Sequence, residues 1–407
     1  MPPAAAPSSQ GCCIVGAGPA GLMLGLLLAR AGVTVTVVEK HTDFLRDFRG
    51  DTIHPSTLEA MHELGLLDEL LTLPHRRAAQ LHAEIGGRSV AIADFARLPT
   101  HCRFIAFMPQ WDFLDFLARK AAAWPGFRLR MGTEATGLLW RDGRVAGIRA
   151  RAEGGEIALD ADLVVATDGR NSVLRAAAEL PLRTFGTPTD VLWMRLSRQA
   201  SDPAQAMGHA GPRQGLVLID RGDFWQCGYV VRKGGFAAVK QAGLPALRAA
   251  LAQVAPLPAE RFEELRDWDQ VRLLSVRIDR LGRWWRDGLL CLGDAAHAMS
   301  PIGGVGVNLA IQDAIAAANI LAAPLRDGRL TAAHLRAVER RRRFPTWATQ
   351  RLQLMMRSRN RARDERAGPP GFMRAIARWR LLPHLTGRLI GLGFRPEHVR
   401  SRAAAGG

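Results

Sequence analysis

Three glycines and a glutamate near the N-terminus have the residue types and the spacing of a turn that binds pyrophosphate. Gly16, Gly18 and Gly21 follow the apolar run Cys12–Val15 and begin a leucine-rich segment. In such a turn the first glycine permits the tight bend, the second lets a pyrophosphate approach the backbone, and the third lets a helix pack closely on a strand. Glu39 follows about 20 residues later, where an acidic side chain accepts hydrogen bonds from ribose hydroxyls. The pattern predicts a bound dinucleotide and does not decide between NAD and FAD.

Two later stretches also place an aspartate directly after an apolar, strand-like run. The first is ATDGRNSVLR, which contains Asp168, Gly169, Ser172 and Arg175. The second is GDAAHAMSPIGGVGVN, which contains Gly293, Asp294, His297, Pro301, Gly304, Gly306 and Asn308. Each begins as the N-terminal motif does, with a buried strand that runs into a turn. Both are therefore interpreted as further turns of the same kind of domain.

Length and composition exclude some classes of protein. The 407 residues are enough for two domains with a large core. The formal net charge of +17 is typical of an arginine-rich solvated surface, and it would also attract an anionic cofactor or an acidic substrate. Nucleic acid is not an expected partner, since there is one Tyr and no zinc-ligand spacing or aromatic RNA-binding motif. Five cysteines without a scaffold pattern indicate reduced thiols and a cytoplasmic location.

The chain ends and apolar runs carry no predicted targeting or membrane segment. Residues 1–10 lack the basic and apolar regions of a signal peptide and are expected to form a disordered tail. No apolar run is judged long enough to span a bilayer. The arginine-rich C-terminal part is interpreted as a solvated cover, and a peripheral membrane contact is the less favoured alternative.

Periodicity and turn residues predict a coarse order of elements. Helices are expected up to Ala31-Gly32, from about residue 55, over 108–123, near 247–254 and after Gly306. Strands are expected over 12–15, 33–38, 127–131, 135–141 and 144–149, with Asp142-Gly143 as a turn and 79–95 as a hairpin around Gly86-Gly87. Alternating strands at 191–198, 215–220 and 224–232 indicate a second, mostly antiparallel domain.

The three motifs together, in this order, resemble those of the single-component FAD-dependent aromatic hydroxylases. These are the para-hydroxybenzoate hydroxylase-like family of class A flavoprotein monooxygenases, and the resemblance covers about residues 11–345. It implies an α/β fold with one Rossmann-like FAD-binding domain (GR2-type), an inserted and mostly antiparallel β-sheet substrate domain, and a C-terminal helical segment. It also implies that NADPH or NADH reduces FAD, that O2 adds to form a C4a-hydroperoxyflavin, and that an aromatic or polycyclic small molecule is hydroxylated.

The expected boundaries follow from these parts. Residues 1–10 are a tail, 11–180 and 269–340 form the FAD-binding domain, 181–268 form the substrate-binding domain, and 341–407 form the C-terminal helical region. The hairpin 79–95 is expected to join the substrate domain. A monomer or a homodimer is expected.

The resemblance assigns cofactor contacts residue by residue. It implies the ADP half-site for Gly16, Ala17, Gly18, Pro19, Ala20, Gly21, Glu39 and Lys40, and other FAD contacts for Arg49, Gln110, Asp168, Gly169, Gly293 and Asp294. Arg175 would serve the nicotinamide cofactor, and Pro301, Gly304, Val305, Gly306, Val307 and Asn308 would line the flavin ring. His297 and Pro301 are taken as flavin-adjacent, with no catalytic acid or base assigned and no metal expected. Val305 stands where many members have Gln, which leaves the nearest flavin contacts open.

Substrate contacts are expected from the second domain. The candidates are Trp193, Arg195, Leu218, Trp225, Cys227 and Tyr229. Alternation places Trp225, Cys227 and Tyr229 on one face of a strand, which is either the pocket or a hidden core. Two other functions stay open: a related FAD-dependent halogenase or prenyl-chain reductase, and a flavin-binding protein without catalysis. Against the halogenase, no G-W-x-W-x-I-P segment is present.

Overall fold

The structure is a computed structural model that describes residues 11–45, 52–85, 88–202, 207–210, 215–361 and 381–404. Its strands are β1 (Cys12–Val15), β2 (Val35–Val38), β3 (Thr52–Ile53), β4 (Arg76–Ala78), β5 (Gln80–Ile85), β6 (Arg88–Asp94), β7 (Ile105–Phe107), β8 (Phe127–Arg130), β9 (Glu134–Arg141), β10 (Arg144–Ala152), β11 (Gly155–Asp160), β12 (Leu163–Ala166), β13 (Leu182–Phe185), β14 (Thr189–Ser197), β15 (Met207–Ala210), β16 (Gly215–Asp220), β17 (Phe224–Arg232), β18 (Arg272–Leu274), β19 (Ile278–Leu281), β20 (Trp285–Arg286) and β21 (Leu289–Cys291).

The α-helices are α1 (Pro19–Arg30), α2 (Pro55–Glu63), α3 (Leu67–Leu70), α4 (Gln110–Ala122), α5 (Val173–Ala177), α6 (Phe236–Ala242), α7 (Leu244–Ala252), α8 (Val305–Arg326), α9 (Ala332–Arg361) and α10 (Leu382–Gly391). Short 3-10 helices span Ala259–Glu264, Trp268–Gln270, Gly293–Ala295 and Ile302–Gly304. Arg49, the Gly86-Gly87 turn and Trp379 lie outside the described residues.

The first sheet has six strands in the order β20-β21-β12-β1-β2-β8. The pairs β21–β12, β12–β1, β1–β2 and β2–β8 are parallel, and β20 is an antiparallel edge strand. Every residue of β1, β12 and β21 is buried, as expected for a parallel sheet covered on both faces. Helix α1 packs with α4 and α8, while the antiparallel sheet β11-β10-β9 contributes to the same core. The predicted α/β, Rossmann-like fold is confirmed.

Helix α8 corrects one expectation from the sequence. The helical stretch Ile302–Arg326 is long and apolar enough to cross a membrane by length and composition. In the structure 72% of its apolar window is buried inside the protein, and the helix packs against α1 and α9. Burial on this scale makes α8 the core helix of a globular domain.

The second sheet has seven strands in the order β18-β14-β17-β16-β15-β5-β6. Strands β14, β16 and β17 pair antiparallel, as the alternation predicts, and the β5–β6 hairpin joins the same sheet through a parallel β15–β5 pair. One face of this sheet packs beneath α7 and the 3-10 helix at 259–264. The β5–β6 hairpin is therefore part of the same sheet as β14, β16 and β17.

Candidate active site

The three sequence motifs meet at one edge of the six-stranded sheet. Consecutive backbone hydrogen bonds join the ends of neighbouring strands: Leu292 N–H to Ala166 O at 2.9 Å, Thr167 N–H to Val15 O at 2.8 Å, and Gly16 N–H to Val38 O at 2.8 Å. The turns that follow β21, β12, β1 and β2 are therefore adjacent, although they are far apart in the sequence. The carboxyl ends of parallel strands are where α/β sheets bind ligands.

The glycine turn has the shape that a pyrophosphate requires. Gly16 has φ +100°, a conformation that other residues rarely adopt. A Cβ on Gly21 would lie 2.0 Å from the Gly16 carbonyl oxygen, so this glycine serves packing of α1 on β1. A Cβ on Gly18 would meet no atom within 4 Å, so open space lies in front of it. The first turn of α1 has no side-chain cap and no acidic residue, which leaves its N–H groups for an anion.

Glu39 is held in a fixed position beside this turn. Its carboxylate accepts the Ala17 N–H at 3.0 Å and the His41 N–H at 3.1 Å, and the residue is buried. A carboxylate oxygen is a hydrogen-bond acceptor with two lone pairs, which is the kind of group that binds a ribose hydroxyl. Lys40 is exposed beside it, and Gln110 is the first residue of α4 as predicted.

Asp168 adds a second carboxylate to the edge. Its Oδ2 accepts the Val173 N–H at 2.9 Å, while its buried Oδ1 has no partner among the described residues. Burial raises the pKa of Asp168 above its ordinary value. Since a buried oxygen without a partner is costly, this one fits a hydrogen-bond donor supplied by a bound ligand.

Arg175 is placed differently from the prediction. Its guanidinium is buried and donates to the carbonyl oxygens of Ala295 at 2.9 Å and Arg170 at 2.8 Å. The side chain is 7% exposed and two of its N–H groups donate inside the protein, which points to a structural role instead of a contact to the nicotinamide cofactor. Arg175 instead fastens the Asp168 loop to the Gly293-Asp294 turn.

The Gly293-Asp294 turn lies between α1 and α8. A Cβ on Gly293 would lie 3.1 Å from the Ala310 Cβ and 3.6 Å from the Ala20 Cβ. Asp294 keeps a third of its side chain exposed and accepts a hydrogen bond from Arg170 Nη2 at 3.2 Å. A partly exposed carboxylate at this position can accept further hydrogen bonds from a ligand.

A buried charge network supports that turn from behind. Asp313 Oδ2 lies 2.5 Å from His297 Nε2 and accepts the Gly293 N–H at 3.3 Å, and Asp313 Oδ1 accepts from Arg342 Nε at 2.8 Å. Burial alone would raise the pKa of Asp313, but His297 and Arg342 outweigh burial and lower it. His297 is 1% exposed and packs against Trp284 with ring centroids 4.9 Å apart. It supports the turn from the core and is enclosed there.

The beginning of α8 forms the other wall of the edge. Gly304 has φ +63°, and a Cβ there would lie 2.3 Å from Thr52 Oγ1, whose hydroxyl donates to the Gly304 carbonyl at 3.1 Å. The first turn of α8 has no acidic residue and no side-chain cap. Pro301, Val305, Gly306 and Val307 are half-buried along this wall. Free N–H groups here can stabilise negative charge.

The Asn308 side chain is buried, and the predicted place of this residue along the flavin ring stays a prediction. Its Oδ1 accepts the His54 N–H at 2.8 Å and the Thr57 hydroxyl at 2.7 Å. Its Nδ2 donates to Thr52 O at 3.0 Å and to Gly304 O at 3.3 Å. These four bonds use the side-chain amide completely, so it binds the protein and leaves no donor for a flavin. It holds β3 against the start of α8.

The predicted substrate residues divide between the two faces of the seven-stranded sheet. Leu218, Trp225, Cys227 and Tyr229 belong to the buried core beneath α7, with Leu251 and Phe262. These four predictions are corrected, because the helices cover that face. The opposite face carries Trp193, whose ring lies over Gly228, and Arg195, whose guanidinium lies 3.7 Å from the centroid of the exposed-edge Phe224 ring.

A cavity of about 680 Å³ opens between β4, β5 and the turn that joins β16 to β17. Residues lining it include Arg76, Gln80, Asp94, Phe107 and Asp220. The sequence did not indicate this cavity, because Arg76 and Phe107 lie on strands of three residues without periodicity and the cavity depends on how distant strands pair. In the described residues no cluster of His, Cys, Asp and Glu could hold a metal ion.

Comparisons with known proteins agree with this arrangement. Residues 10–352 match a family model described as an FAD binding domain. The chain is 35% identical over 349 residues to 6-methylpretetramide 4-monooxygenase of Streptomyces rimosus, covering 84% of this chain and 82% of that protein. It is 30% identical to a rifampicin monooxygenase of Streptomyces venezuelae over 74% of this chain and 61% of that one. The crystal structure of p-nitrophenol 4-monooxygenase PnpA from Pseudomonas putida matches with a TM-score of 0.76 and 22% identity, covering 93% and 95% of the two chains.

Proposed function

The chain belongs to the family of FAD-dependent aromatic hydroxylases, and from this premise we propose that it hydroxylates a polycyclic aromatic molecule with O2 and NAD(P)H. The observation that carries the proposal is the meeting of three motifs at one sheet edge, with open space before Gly18 and an unpartnered oxygen on Asp168. The likeness to a monooxygenase named for a polycyclic substrate supports the substrate class.

The residues at this edge fit FAD in an extended form. The N–H groups of the first turn of α1 would bind the pyrophosphate and Glu39 the adenosine ribose. Asp294 and Asp168 would accept hydrogen bonds from the remainder of the cofactor, and the first turn of α8 would stabilise negative charge on its ring system. Bound FAD would supply the redox chemistry. NAD(P)H would provide two electrons, and of the two oxygen atoms of O2 one would enter the substrate and the other would leave as water.

The protein contributes position and a dry pocket. Asn308, Thr52 and Gly304 fix the wall of α8, and Arg175 and Asp313 fix the Asp294 turn. The face of the seven-stranded sheet that carries Trp193 would cover the substrate, since the other face is closed by helices. Excluding water there suppresses loss of reducing equivalents to peroxide.

The environment of the cysteines supports a reducing compartment, and we place the protein in the cytoplasm on that ground. The five cysteines, at 12, 13, 102, 227 and 291, are free thiols and buried. Burial raises the pKa of Cys12, Cys13, Cys227 and Cys291, which keeps these thiols protonated and unreactive.

The direct test combines cofactor content with turnover. Purified protein should be yellow, retain FAD through gel filtration, and oxidise NAD(P)H faster when a phenolic polycycle is added. The product should be one oxygen atom heavier than the substrate. Colourless protein that FAD does not reconstitute would contradict the proposal, as would a flavoprotein that NADPH fails to reduce in stopped flow. A chloride-dependent mass gain would indicate a halogenase instead.

A further inference from the structure

A row of three side chains crosses the small sheet β3-β7-β4 from the wall of α8 to the cavity. Thr52 on β3 is paired with Phe107 on β7, and Phe107 is paired with Arg76 on β4. Residues directly opposite each other in antiparallel strands share one face of the sheet. The Thr52 hydroxyl donates to Gly304 O at 3.1 Å, and Gly304 directly precedes α8. The row of Thr52, Phe107 and Arg76 therefore begins next to the start of α8.

The far end of the row lies in the cavity. Arg76 and Phe107 both line the space of about 680 Å³, and Asp220 lines it from the opposite side. Arg76 Nη2 lies 3.5 Å from the position that a Cβ on Gly222 would take, so the guanidinium reaches the turn between β16 and β17. A volume of this size is in the range of ligand-binding clefts, which runs from about 300 to 1,000 Å³.

The two carboxylates of the cavity already have partners. Asp94 accepts from Gln80 Nε2 at 2.7 Å and from the Ala96 N–H at 2.8 Å, and His384 Nδ1 lies 3.5 Å away. Asp220 pairs with Arg198 Nε at 3.2 Å and accepts the Gly222 N–H at 2.8 Å. These bonds fix both carboxylates in place, and among the described residues neither carboxylate forms an ion pair with Arg76.

The other basic side chains that line the cavity also have partners within the protein. Arg77 donates from Nε to His75 Nε2 at 3.0 Å and its guanidinium lies 4.7 Å from the centroid of the Phe104 ring. His82 contacts the side chain of Gln80. Arg76 has no hydrogen bond or ion pair to any residue in the part of the chain that the structure describes. Arg76 is exposed, so its guanidinium can pair with an anion that enters the cavity.

We propose that Arg76 binds an anionic oxygen of the substrate, at the end of the molecule remote from the ring that is hydroxylated. The proposal rests on the proposed function and deepens it. Arg76 lies two strand spacings, about 10 Å, from β3, the strand whose Thr52 contacts Gly304 at the start of α8. A single ring is too short to reach from that wall to Arg76, whereas a linear molecule of several fused rings with a carboxylate, phenolate or enolate at its end can do so.

Each element of the cavity suits such a ligand. The planar fork of arginine forms two parallel hydrogen bonds to a carboxylate or to adjacent oxygens of a phenolate–carbonyl pair. Phe107, midway along the row, is 8% exposed, and the part of its ring that lines the cavity can contact a fused ring system. The acids Asp94 and Asp220 discourage an anionic group elsewhere in the cavity, which favours one orientation of the ligand.

The test measures binding to FAD-loaded full-length protein by calorimetry. The probes are anthraquinone-2-carboxylate, its uncharged carboxamide, and benzoate as a single-ring anion. Wild-type protein should bind the carboxylate about tenfold or more tightly than the carboxamide, and benzoate weakly. Arg76→Met should remove that preference with FAD content unchanged, and Arg76→Lys should retain part of it. Arg151→Met is the matched control, because Arg151 is likewise exposed but lies on β10 outside the cavity, and it should keep the wild-type preference.

Several results would overturn the inference. These are equal affinity of wild-type protein for the carboxylate and the carboxamide, a preference that survives in Arg76→Met, or an equal loss in Arg151→Met. Tight binding of benzoate would contradict the length argument. Because the readout is binding, its failure is separable from failure of the proposed function, in which the wild type binds FAD but hydroxylates no aromatic compound.

Discussion

Gly18 and Gly21 belong to one motif, yet the structure predicts opposite consequences for adding a methyl group to each. At Gly18 the new Cβ meets nothing within 4 Å and φ is −75°, so the apo-protein should accept alanine at a cost within about 1 kcal/mol, mainly from the weaker helix cap. The methyl group would occupy the space assigned to the pyrophosphate. FAD binding should therefore weaken at least tenfold, or about 1.4 kcal/mol.

At Gly21 the same methyl group would lie 2.0 Å from the Gly16 carbonyl oxygen and 2.7 Å from Thr167 Oγ1. Neither the strand turn nor α1 can move away without disturbing the core, so Gly21→Ala should cost about 3 kcal/mol or more and lower the melting temperature of the apo-protein. The assay is thermal unfolding of both apo-variants followed by titration with FAD, read by quenching of flavin fluorescence. Wild-type affinity in Gly18→Ala would refute the assigned position of the pyrophosphate. Wild-type stability in Gly21→Ala would refute the tight helix–strand contact.

Three further substitutions test other parts of the site. Asp294→Ala should leave a folded protein whose FAD affinity, measured by equilibrium titration, falls about ten- to a hundredfold per hydrogen bond lost. Unfolding of this variant would contradict the partly exposed position of the Asp294 side chain. Arg175→Met should lower the melting temperature and the FAD affinity together, because the Ala295 and Arg170 carbonyls lose their donor; a selective rise in KM for NADPH at unchanged stability would restore the nicotinamide role. Burial lowers the pKa of His54 from 6.5 to about 4, so the unfolded chain binds the proton more readily than the folded protein. The free energy of unfolding should therefore decline as pH falls from about 6.5 to 4, by about 3 kcal/mol in total. His54→Gln, followed by denaturant unfolding across that pH range, should flatten this decline, and an unchanged slope would show that His54 is not its source.

Local patterns allowed much of the fold to be predicted. The apolar run Cys12–Val15, the glycine turn and the second run up to Glu39 form a contiguous unit, and β1, α1 and β2 follow it closely. The alternating segments 215–220 and 224–232 correspond to β16 and β17 in full. Each of these elements is specified by residues within a few positions of one another, which is the range over which periodicity is informative.

Pairings between distant segments escaped the sequence reasoning. Strand β13 pairs with β19 nearly a hundred residues later, and β19 contains the polar residues Asp279 and Arg280. Alternation in β17 correctly separated its two faces, but only the position of α7 decides which face is core. Tyr229 therefore could not be assigned to a pocket or a core beforehand.

Motif resemblance located the site better than it located the contacts. It placed Asp168 and Asp294 after strands of one sheet, and the strand order makes β12 and β21 neighbours. It also suggested ligand contacts for Arg175 and Asn308, whose side chains form hydrogen bonds inside the protein that no motif reveals. The contribution of Arg76 depends on a cross-strand row through β3, β7 and β4, strands too short to give a pattern.

The most direct measurement follows oxygen itself. FAD-loaded protein, NADPH and a phenolic polycycle that stimulates NADPH oxidation are incubated under O2 of the heavy isotope, and the product is analysed by mass spectrometry. We expect one heavy oxygen atom in each product molecule and the consumption of one NADPH for each product molecule formed. Oxidation of NADPH that yields only hydrogen peroxide with every such substrate, or a product whose added oxygen comes from water, would contradict it.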